Sequence, residues 1–286
     1  MVKGKADYLY EAIINLLLIF IGLFCIVPLL YVFSVSLTPF GEVLRRGGFI
    51  LFPHKITFRA YEQLLSQKHV FTAFFFTVRL TILGTVTNMF LTTLLAYSLS
   101  RKTLPGRRFF HLFIIFTMLF SGGIVPTYLV VKQLRLLNTI WSLILPNAVW
   151  TFNTLVMKSY FESVPEEMFE SAKIDGAGDL RIMFKILLPL AVPTMMTVGL
   201  FYLVMHWNQF FQAILYITKP DLFTLQLVVR QLLNMATDGM ENPDFTIPTV
   251  TLQNAIIIFS SAPVIIVYPF IQKYFIKGVM LGAIKG

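Results

Sequence analysis

The sequence has 286 residues, of which 57% are hydrophobic and only 13% are charged, and its net charge is +9. A soluble domain carries about one quarter charged residues, so this composition excludes an ordinary soluble protein and indicates a chain that crosses a membrane several times. A basic balance can mark a nucleic-acid partner, but here the basic residues lie in short loops, so we assign the charge to membrane topology and expect no nucleic acid.

The first apolar run, residues 12–33, contains no charged residue and is long enough to span a bilayer as a helix. It is longer than a signal-peptide core and lacks a small-x-small cleavage site, so it predicts a retained first helix. The single cysteine, Cys25, lies within this run, which excludes an intramolecular disulfide.

Six membrane-spanning helices are predicted from the apolar runs. They cover approximately residues 12–37, 70–99, 109–131, 139–160, 187–217 and 250–274. These runs are continuously apolar, which excludes the alternating strands of a membrane barrel. We therefore predict an all-α polytopic membrane protein in which residues 1–286 form a single transmembrane domain.

The third predicted span contains the sequence SGGIVPTY, residues 121–128. Proline removes a backbone donor and kinks a helix. Ordinary kinks are common in membrane helices, whereas a broken helix is tolerated where protein or a wet cavity satisfies the freed backbone groups. Both interpretations are open from the sequence.

The distribution of lysine and arginine predicts the orientation of the chain. Basic residues are most frequent at both termini, in the connection RKTLPGRR (residues 101–108), and in and beside a polar insert at residues 161–189. Because such residues collect on the cytoplasmic side of membrane helices, we expect both termini and the polar insert to be cytoplasmic.

The polar insert has the pattern of two short helices joined by a turn. After Pro165, two glutamates fall in the first turn of a helical segment, where they complement the helix dipole. Gly176 and Gly178 permit a sharp reversal, and a second helix is predicted to begin near Asp179. We expect this helix–turn–helix to lie along the cytoplasmic face.

The outer half of the fifth predicted span contains the sequence HWNQFFQ. Its polar and indole side chains are those of His206, Trp207, Asn208, Gln209 and Gln212. At helical spacing, Gln212 shares a face with Asn208 and with Gln209. This mixture of amides and aromatic rings is suited either to a hydroxyl-rich sugar on a transport path or to anchoring the helix at the membrane interface. Other amides in the spans, such as Asn88 and Asn147, are expected to form interhelical hydrogen bonds.

The spacing E-[SA]-A-x3-G-x9-I-x-LP in the polar insert resembles the EAA loop of permease subunits in binding-protein-dependent ABC importers. The residues carried over to ATPase coupling are Glu170, Ser171, Ala172, Asp175, Gly176, Ile186, Leu188 and Pro189. Ser171 replaces the usual alanine but is still small. The end of the chain, QKYFIKGVMLGAIKG, is similar to the end of the second permease in maltose-type carbohydrate importers. The sequence FSGGIVPTYLVVKQLRLLNTIWSLILP is similar to the subgroup that imports oligosaccharides and polysaccharide fragments.

The resemblance implies a type I importer permease fold and a complex in the bacterial cytoplasmic (inner) membrane. Its implied partners are a second homologous permease, two ATPase subunits that bind ATP and Mg²⁺, and an extracytoplasmic solute-binding protein. The chain itself would have no catalytic residue and would bind no metal or cofactor directly. Glu170 would pair with a basic residue of the ATPase, Ala172 would pack into its groove, and Gly176 would turn the chain.

The resemblance also assigns two further regions. The C-terminal residues carried over to contact between the ATPase subunits are Lys277, Gly278, Gly282, Lys285 and Gly286. The loop at residues 218–249 would face the solute-binding protein.

The expected substrate is an oligosaccharide. Basic residues in the loop at 38–69 favour an acidic fragment such as a uronate oligomer, although contact with the membrane surface explains them equally well. They are Arg45, Arg46, Lys55 and Arg59. The alternatives are an ABC permease for a non-sugar solute and an ion-driven secondary transporter. The predicted spans contain no chain of carboxylates that could relay protons, which counts against the secondary transporter. The four scattered histidines disfavour a membrane-embedded enzyme.

Overall fold

The computed structural model of the chain describes residues 5–238 and 249–283. Within these ranges every regular element is a helix, which confirms the predicted all-α class. The first four helices are α1 (Lys5–Ser36), α2 (Phe40–Arg45), α3 (Arg59–Ser66) and α4 (Lys68–Ser100). The next four are α5 (Arg107–Leu119), α6 (Ile124–Gln133), α7 (Trp141–Ile144) and α8 (Thr151–Ser163).

Seven helices follow in the second half of the described chain. They are α9 (Glu166–Ile174), α10 (Asp179–Ile182), α11 (Leu188–Leu190), α12 (Val192–Trp207), α13 (Phe211–Tyr216), α14 (Leu225–Asp238) and α15 (Val250–Ala283). A π-helical turn at Met183–Leu187 connects α10 to α11, and 3₁₀ turns occur at Leu145–Asn147 and Pro220–Leu222.

Three of the described helices, α1, α4 and α15, are unbroken and long and apolar enough to span a membrane. They correspond to the first, second and sixth predicted spans. Counting two bent helix pairs as spans raises the number to five. The total of six spans therefore stays a prediction.

The third predicted span is broken rather than kinked. The chain bends by 114° between α5 and α6. Gly123 precedes α6 with a φ of 87°, which a glycine adopts without strain. Pro126 lies in the first turn of α6, where a backbone N–H has no intrahelical acceptor. The sequence SGGIVPTY thus ends one helix and begins another.

The fourth and fifth predicted spans are not single helices. In the fourth, α7 and the 3₁₀ turn containing Pro146 are followed by a non-helical segment, residues 148–150, before α8 begins. In the fifth, the chain bends by 84° before α12, which has Pro193 in its first turn, and α12 ends at Trp207 before α13 begins. A window of apolar residues reveals the length of a buried segment but not the breaks that proline introduces within it.

The chain divides into two compact units, Met1–Val70 with Val229–Ala262 and Phe71–Val228 with Pro263–Gly286. In the first unit, Val35, Val43 and Ile50 form a small core, and Ser36 and Tyr61 share a hydrogen bond of 2.7 Å between their hydroxyls. Most side chains of α1 are exposed in this single chain, which suits contact with lipid or another subunit. That residues 1–286 act as one transmembrane domain stays a prediction.

The second unit contains two apolar clusters. One packs the polar insert against the ends of α4 and α8, and includes Tyr97, Phe161, Phe169, Ile182 and Leu187. The other joins α4 to α6, α7 and α13, and includes Leu80, Val131, Leu143, Ala213 and Tyr216. The two candidate functional regions, the polar insert and a cavity, lie beside these clusters.

Candidate functional site

The polar insert forms the helical hairpin that its sequence predicts. We use the word hairpin for α9, the turn at residues 175–178, and α10. Helix α9 begins after Pro165 with two glutamates in its first turn. Gly176 reverses the chain with a φ of 75°, and the N–H of Ala177 donates to the carbonyl of Ala172 at 2.9 Å. Helix α10 begins at Asp179, as predicted. Helix α8 continues to Ser163, so the first residues of the polar insert belong to that helix.

The hairpin has an inward and an outward face. Phe169, Ala172 and Ile182 are 4%, 7% and 0% exposed and belong to the core cluster of the second unit. On the outward side, Ile174 and Leu180 are 86% and 66% exposed, although both are apolar. Ala172 therefore packs against its own chain, and its expected contact with a groove of the ATPase stays a prediction.

The other residues assigned to ATPase coupling differ in accessibility. Glu170, Ser171, Asp175, Gly176 and Pro189 are exposed, whereas Ile186 and Leu188 are partly buried. In the C-terminal region, Lys277, Gly278 and Gly282 lie in α15, and Lys285 and Gly286 lie outside the described residues. Residues 239–248 of the loop expected to face the binding protein also lie outside them.

A cavity of about 300 Å³ lies between the break in the fourth predicted span and the end of α12. Its lining consists of Asn147, Val149, Trp150, Met205, Asn208, Gln209 and Gln212. The structure thus brings together three of the residues predicted to line the path, Asn208, Gln209 and Gln212. It adds Asn147 and Trp150, which sequence reasoning did not assign to the path.

His206 and Trp207, which were also predicted to line the path, do not line this cavity. His206 is fully buried, and its Nδ1 lies 3.4 Å from Oε1 of Gln209. Trp207 is also buried, and its indole packs edge-on against Phe74 with ring centroids 6.1 Å apart. Helical spacing indicates which residues share a face, but not which face the cavity meets.

A buried hydrogen-bond network supports the cavity wall. Nδ2 of Asn88 in α4 lies 3.1 Å from Nε2 of His206 and donates to the carbonyl of Asn147 at 3.2 Å. Nε2 of Gln209 donates to the carbonyl of Leu143 at 2.7 Å. Both carbonyls flank Pro146, where the helix is interrupted. Side chains therefore satisfy backbone groups that the break releases, as required at membrane depth, and the predicted interhelical hydrogen bonding of Asn88 is confirmed.

Tyr202 binds the backbone at Trp150, where the break in the fourth predicted span ends. Its hydroxyl accepts a hydrogen bond from the backbone N–H of Trp150 at 3.0 Å and lies 2.6 Å from the hydroxyl of Thr92 in α4. The Trp150 backbone is thereby tied to both α12 and α4. Amide groups and an indole ring held in this way can bind the hydroxyls and the apolar face of a sugar.

The ion pairs described in the second unit lie at its hairpin end. Nζ of Lys102 lies 2.5 Å from Oε2 of Glu166, and this hydrogen bond and charge hold the pKa of the Glu166 carboxyl below its usual value. Glu162 pairs with both Arg107 and Lys158. Among the described residues, no group of three or more His, Cys, Asp or Glu side chains is placed to hold a metal ion.

Known proteins resemble this chain along almost its whole length. It is 40% identical, over 97% of its residues and 99% of the relative, to the polygalacturonan/rhamnogalacturonan transport system permease protein YtcP of Bacillus subtilis. It is 38% identical, over 100% of its residues and 98% of the relative, to Protein LplC of the same organism. No protein-family model matches the chain.

A solved structure has the same fold. It is the crystal structure of a bacterial ABC transporter involved in the import of the acidic polysaccharide alginate. One of its chains superposes with a TM-score of 0.86 and 32% identity, covering 96% of this chain and 99% of that one.

Proposed function

The chain belongs to the carbohydrate permeases of ABC importers, and from this premise we propose that it forms part of the membrane path for an oligosaccharide delivered by an extracytoplasmic solute-binding protein. It is a membrane protein of the bacterial inner membrane and belongs to a family of transport proteins rather than enzymes. Its relatives are components of ABC transport systems, so an ion-gradient-driven mechanism is not favoured.

The proposed complex contains this chain, a second homologous permease and two ATPase subunits that bind ATP and Mg²⁺. The hairpin is the docking element for one ATPase. The observation that carries this proposal is the pair of exposed apolar residues on the hairpin, Ile174 and Leu180, on a segment whose opposite face is buried in the chain's own core. An apolar surface of this kind is stabilised when a partner covers it.

Docking at the hairpin requires a defined orientation. We infer that the hairpin and both termini are cytoplasmic, with the C-terminal residues Lys277 to Gly286 directed to the ATPase subunits. Basic residues on the same side support this orientation, because lysine and arginine are retained in the cytoplasm during insertion. Glu170 is exposed and available to pair with a basic residue of the ATPase.

The proposed substrate is a fragment of an acidic polysaccharide. The relative YtcP carries polygalacturonan and rhamnogalacturonan in its name, and the solved transporter imports alginate. In this chain, Arg45, Lys55 and Arg59 are exposed and carry the charge that an acidic sugar would meet, whereas Arg46 is paired with Glu42 at 3.4 Å. The cavity amides would bind hydroxyls of the sugar.

Transport requires the hairpin and the cavity to change together. A nucleotide-driven movement of the ATPases shifts the equilibrium between two conformations only if the docked contacts differ in free energy between them. The hairpin is connected to its own core through Phe169 and Ile182, so displacement of its outward face moves the helices behind it.

Uptake into proteoliposomes tests this function. The chain is reconstituted with its co-purifying subunits and a binding protein, and uptake of trigalacturonate is compared with uptake of maltotriose. ATP-dependent uptake that prefers trigalacturonate is expected, and Glu170→Lys is expected to abolish it while the subunit stays in the membrane. Equal rates for the two sugars would remove the acidic specificity, and uptake driven by an ion gradient without ATP would contradict the importer mechanism.

A further inference from the structure

The connection RKTLPGRR, residues 101–108, does more in the structure than set the orientation of the chain. We call it the connector; it comprises the residues between α4 and α5 and the first two residues of α5. Its basic residues Arg101, Lys102 and Arg107 all contact the hairpin or the helix that leads into it. The connector therefore lies at the junction between the ATPase-docking element and a long membrane helix.

Arg101 makes the central contact of this junction. Its guanidinium carbon lies 3.9 Å from the centroid of the Phe169 ring in α9 and 5.8 Å from the centroid of the Tyr97 ring in α4. Both rings are almost completely buried. A guanidinium stacked on an aromatic ring and partly shielded from water is held more firmly than one at a fully exposed site.

Further contacts attach both helices of the hairpin to the same junction. Lys102 pairs with Glu166 in the first turn of α9. The hydroxyl of Tyr97 donates to the carbonyl of Asp179, the first residue of α10, at 3.2 Å. The end of α4 and the connector thus contact α9 and α10 on either side of the Gly176 turn.

Helix α4 extends from this junction to the cavity wall. It is unbroken from Lys68 to Ser100, and a helix rises about 1.5 Å per residue, so Asn88 lies roughly 20 Å from Arg101 along it. Asn88 contacts His206 and the carbonyl of Asn147, and Thr92 contacts Tyr202. One rigid element therefore connects the hairpin to the residues that shape the cavity.

We propose that Arg101 is a positioning residue for energy coupling, whose stack on Phe169 transmits displacement of the hairpin through α4 to the cavity wall. This inference rests on the proposed function. Coupling between distant sites needs an element that both sites bias, and α4 has contacts with both. The competing explanation is that Arg101 acts only as one of several cytoplasmic positive charges that orient the chain.

The test compares Arg101→Leu with Arg108→Leu in the complete transporter, reconstituted with its ATPases, second permease and a binding protein loaded with trigalacturonate. Both variants remove one positive charge from the same connector, but Arg108 is exposed and Arg101 is partly buried. In Arg101→Leu, we expect the complex to assemble and hydrolyse ATP while the sugar moved per ATP falls about fivefold or more, the lower range for allosteric coupling. In Arg108→Leu, this ratio is expected to be unchanged.

A second comparison isolates the stack. Phe169→Leu retains an apolar side chain at the buried site and is expected to reduce the transport ratio as Arg101→Leu does. The double variant is expected to be no worse than either single variant, because the two residues act through one contact. Losses that multiply would show that Arg101 acts independently of Phe169 and would overturn the proposal.

Other results of these experiments would also contradict the proposed role of Arg101. An unchanged ratio in Arg101→Leu, or an equal fall in both arginine variants, would overturn the role of Arg101 while leaving the importer function intact. Should Arg101→Leu fail to assemble, Arg101→Lys keeps the charge but loses the planar group, and full coupling in that variant would equally overturn the proposal. An unmodified complex without ATP-dependent uptake would instead contradict the proposed function itself.

Discussion

Asn88 and His206 are fully buried and meet with Nδ2 of the amide 3.1 Å from Nε2 of the ring. An amide nitrogen can only donate, so the contact with Asn88 fits the tautomer in which Nε2 accepts and the Nδ1 proton faces Oε1 of Gln209. His206 therefore links α4 to a residue of the cavity wall. Because both ring nitrogens face buried partners, the side chain of His206 lies behind the cavity wall and does not line the cavity.

Replacing His206 with leucine tests this link. His206→Leu leaves the Asn88 amide and the Gln209 side chain each without one partner, and a buried unsatisfied polar group costs about 1–3 kcal/mol. We expect a lower melting temperature in detergent and a higher KM for sugar uptake. His206→Gln keeps both a donor and an acceptor and is expected to lose less. Equal losses in the two variants would contradict the hydrogen-bonding role.

Gly84 sets the space available to His206. A Cβ atom added at Gly84 would lie 2.5 Å from Nε2 of His206, closer than real contacts allow. Gly84→Ala is expected to displace the imidazole and destabilise the fold by about 1–3 kcal/mol, the usual cost of overpacking. Thermal unfolding of the purified protein measures this effect.

Gly199 provides the matched control for that substitution. A Cβ added there would meet Sδ of Met89 at 3.8 Å, an ordinary contact distance. Gly199→Ala is therefore expected to leave the melting temperature close to that of the unmodified protein. If both alanine variants unfold at the same temperature, the close approach of Gly84 to His206 is not limiting.

Local signals made the hairpin predictable. Pro165, the glutamates after it and Gly176 each constrain the backbone within a few residues, and the structure has the helix–turn–helix that they indicate. The same signals do not reveal burial, which depends on Tyr97 and other residues far along the chain. Ala172 could therefore be placed in the hairpin but not on its inward face.

The cavity was less accessible to sequence reasoning. Its lining on one side comes from the break at Asn147 to Trp150, and that break is supported by hydrogen bonds to Asn88 and Tyr202, both remote in sequence. In the sequence, only the position of Pro146 close to Asn147 and Trp150 pointed to a break with polar and aromatic groups beside it. Contacts across helices decide which polar residues reach the cavity, and no pattern within one span contains that information.

The ion pair of Lys102 with Glu166 predicts a pH dependence. Because Lys102 lowers the pKa of Glu166 in the folded state, the pair stabilises the fold above the ordinary glutamate pKa of about 4.3, and this stabilisation is lost as the pH falls through the lowered value. Lys102→Met is expected to melt slightly earlier than the unmodified protein at neutral pH, by the small amount typical of exposed pairs.

The difference between Lys102→Met and the unmodified protein should disappear in acid, when Glu166 is protonated in both. Glu166→Gln removes the same pair and serves as the control, with a similar deficit at neutral pH. Melting curves recorded from neutral to acid pH measure both variants. A deficit that persists unchanged in acid would show that the ion pair is not its cause.

The exposed end of the hairpin predicts how the ATPase is held. Ile174→Glu places a charge on a surface proposed to be covered by a partner, so we expect the ATPase to be lost from the purified complex while the melting temperature of the isolated subunit is unchanged. Ile174→Val keeps an apolar side chain and is expected to retain the ATPase. Retention of the ATPase by Ile174→Glu would exclude Ile174 from the docking surface.

The cavity predicts a specific loss of substrate affinity. Asn208 lines it and is exposed, so Asn208→Ala removes hydrogen-bonding groups without leaving a buried partner. A hydrogen bond contributes about 0.5–1.5 kcal/mol, which corresponds to a rise in KM of roughly two- to tenfold. Phe211→Ala, which truncates an exposed neighbour that does not line the cavity, is the control and is expected to leave KM unchanged. Initial rates of trigalacturonate uptake give both values, and an equal rise in the two variants would show that the cavity is not on the path.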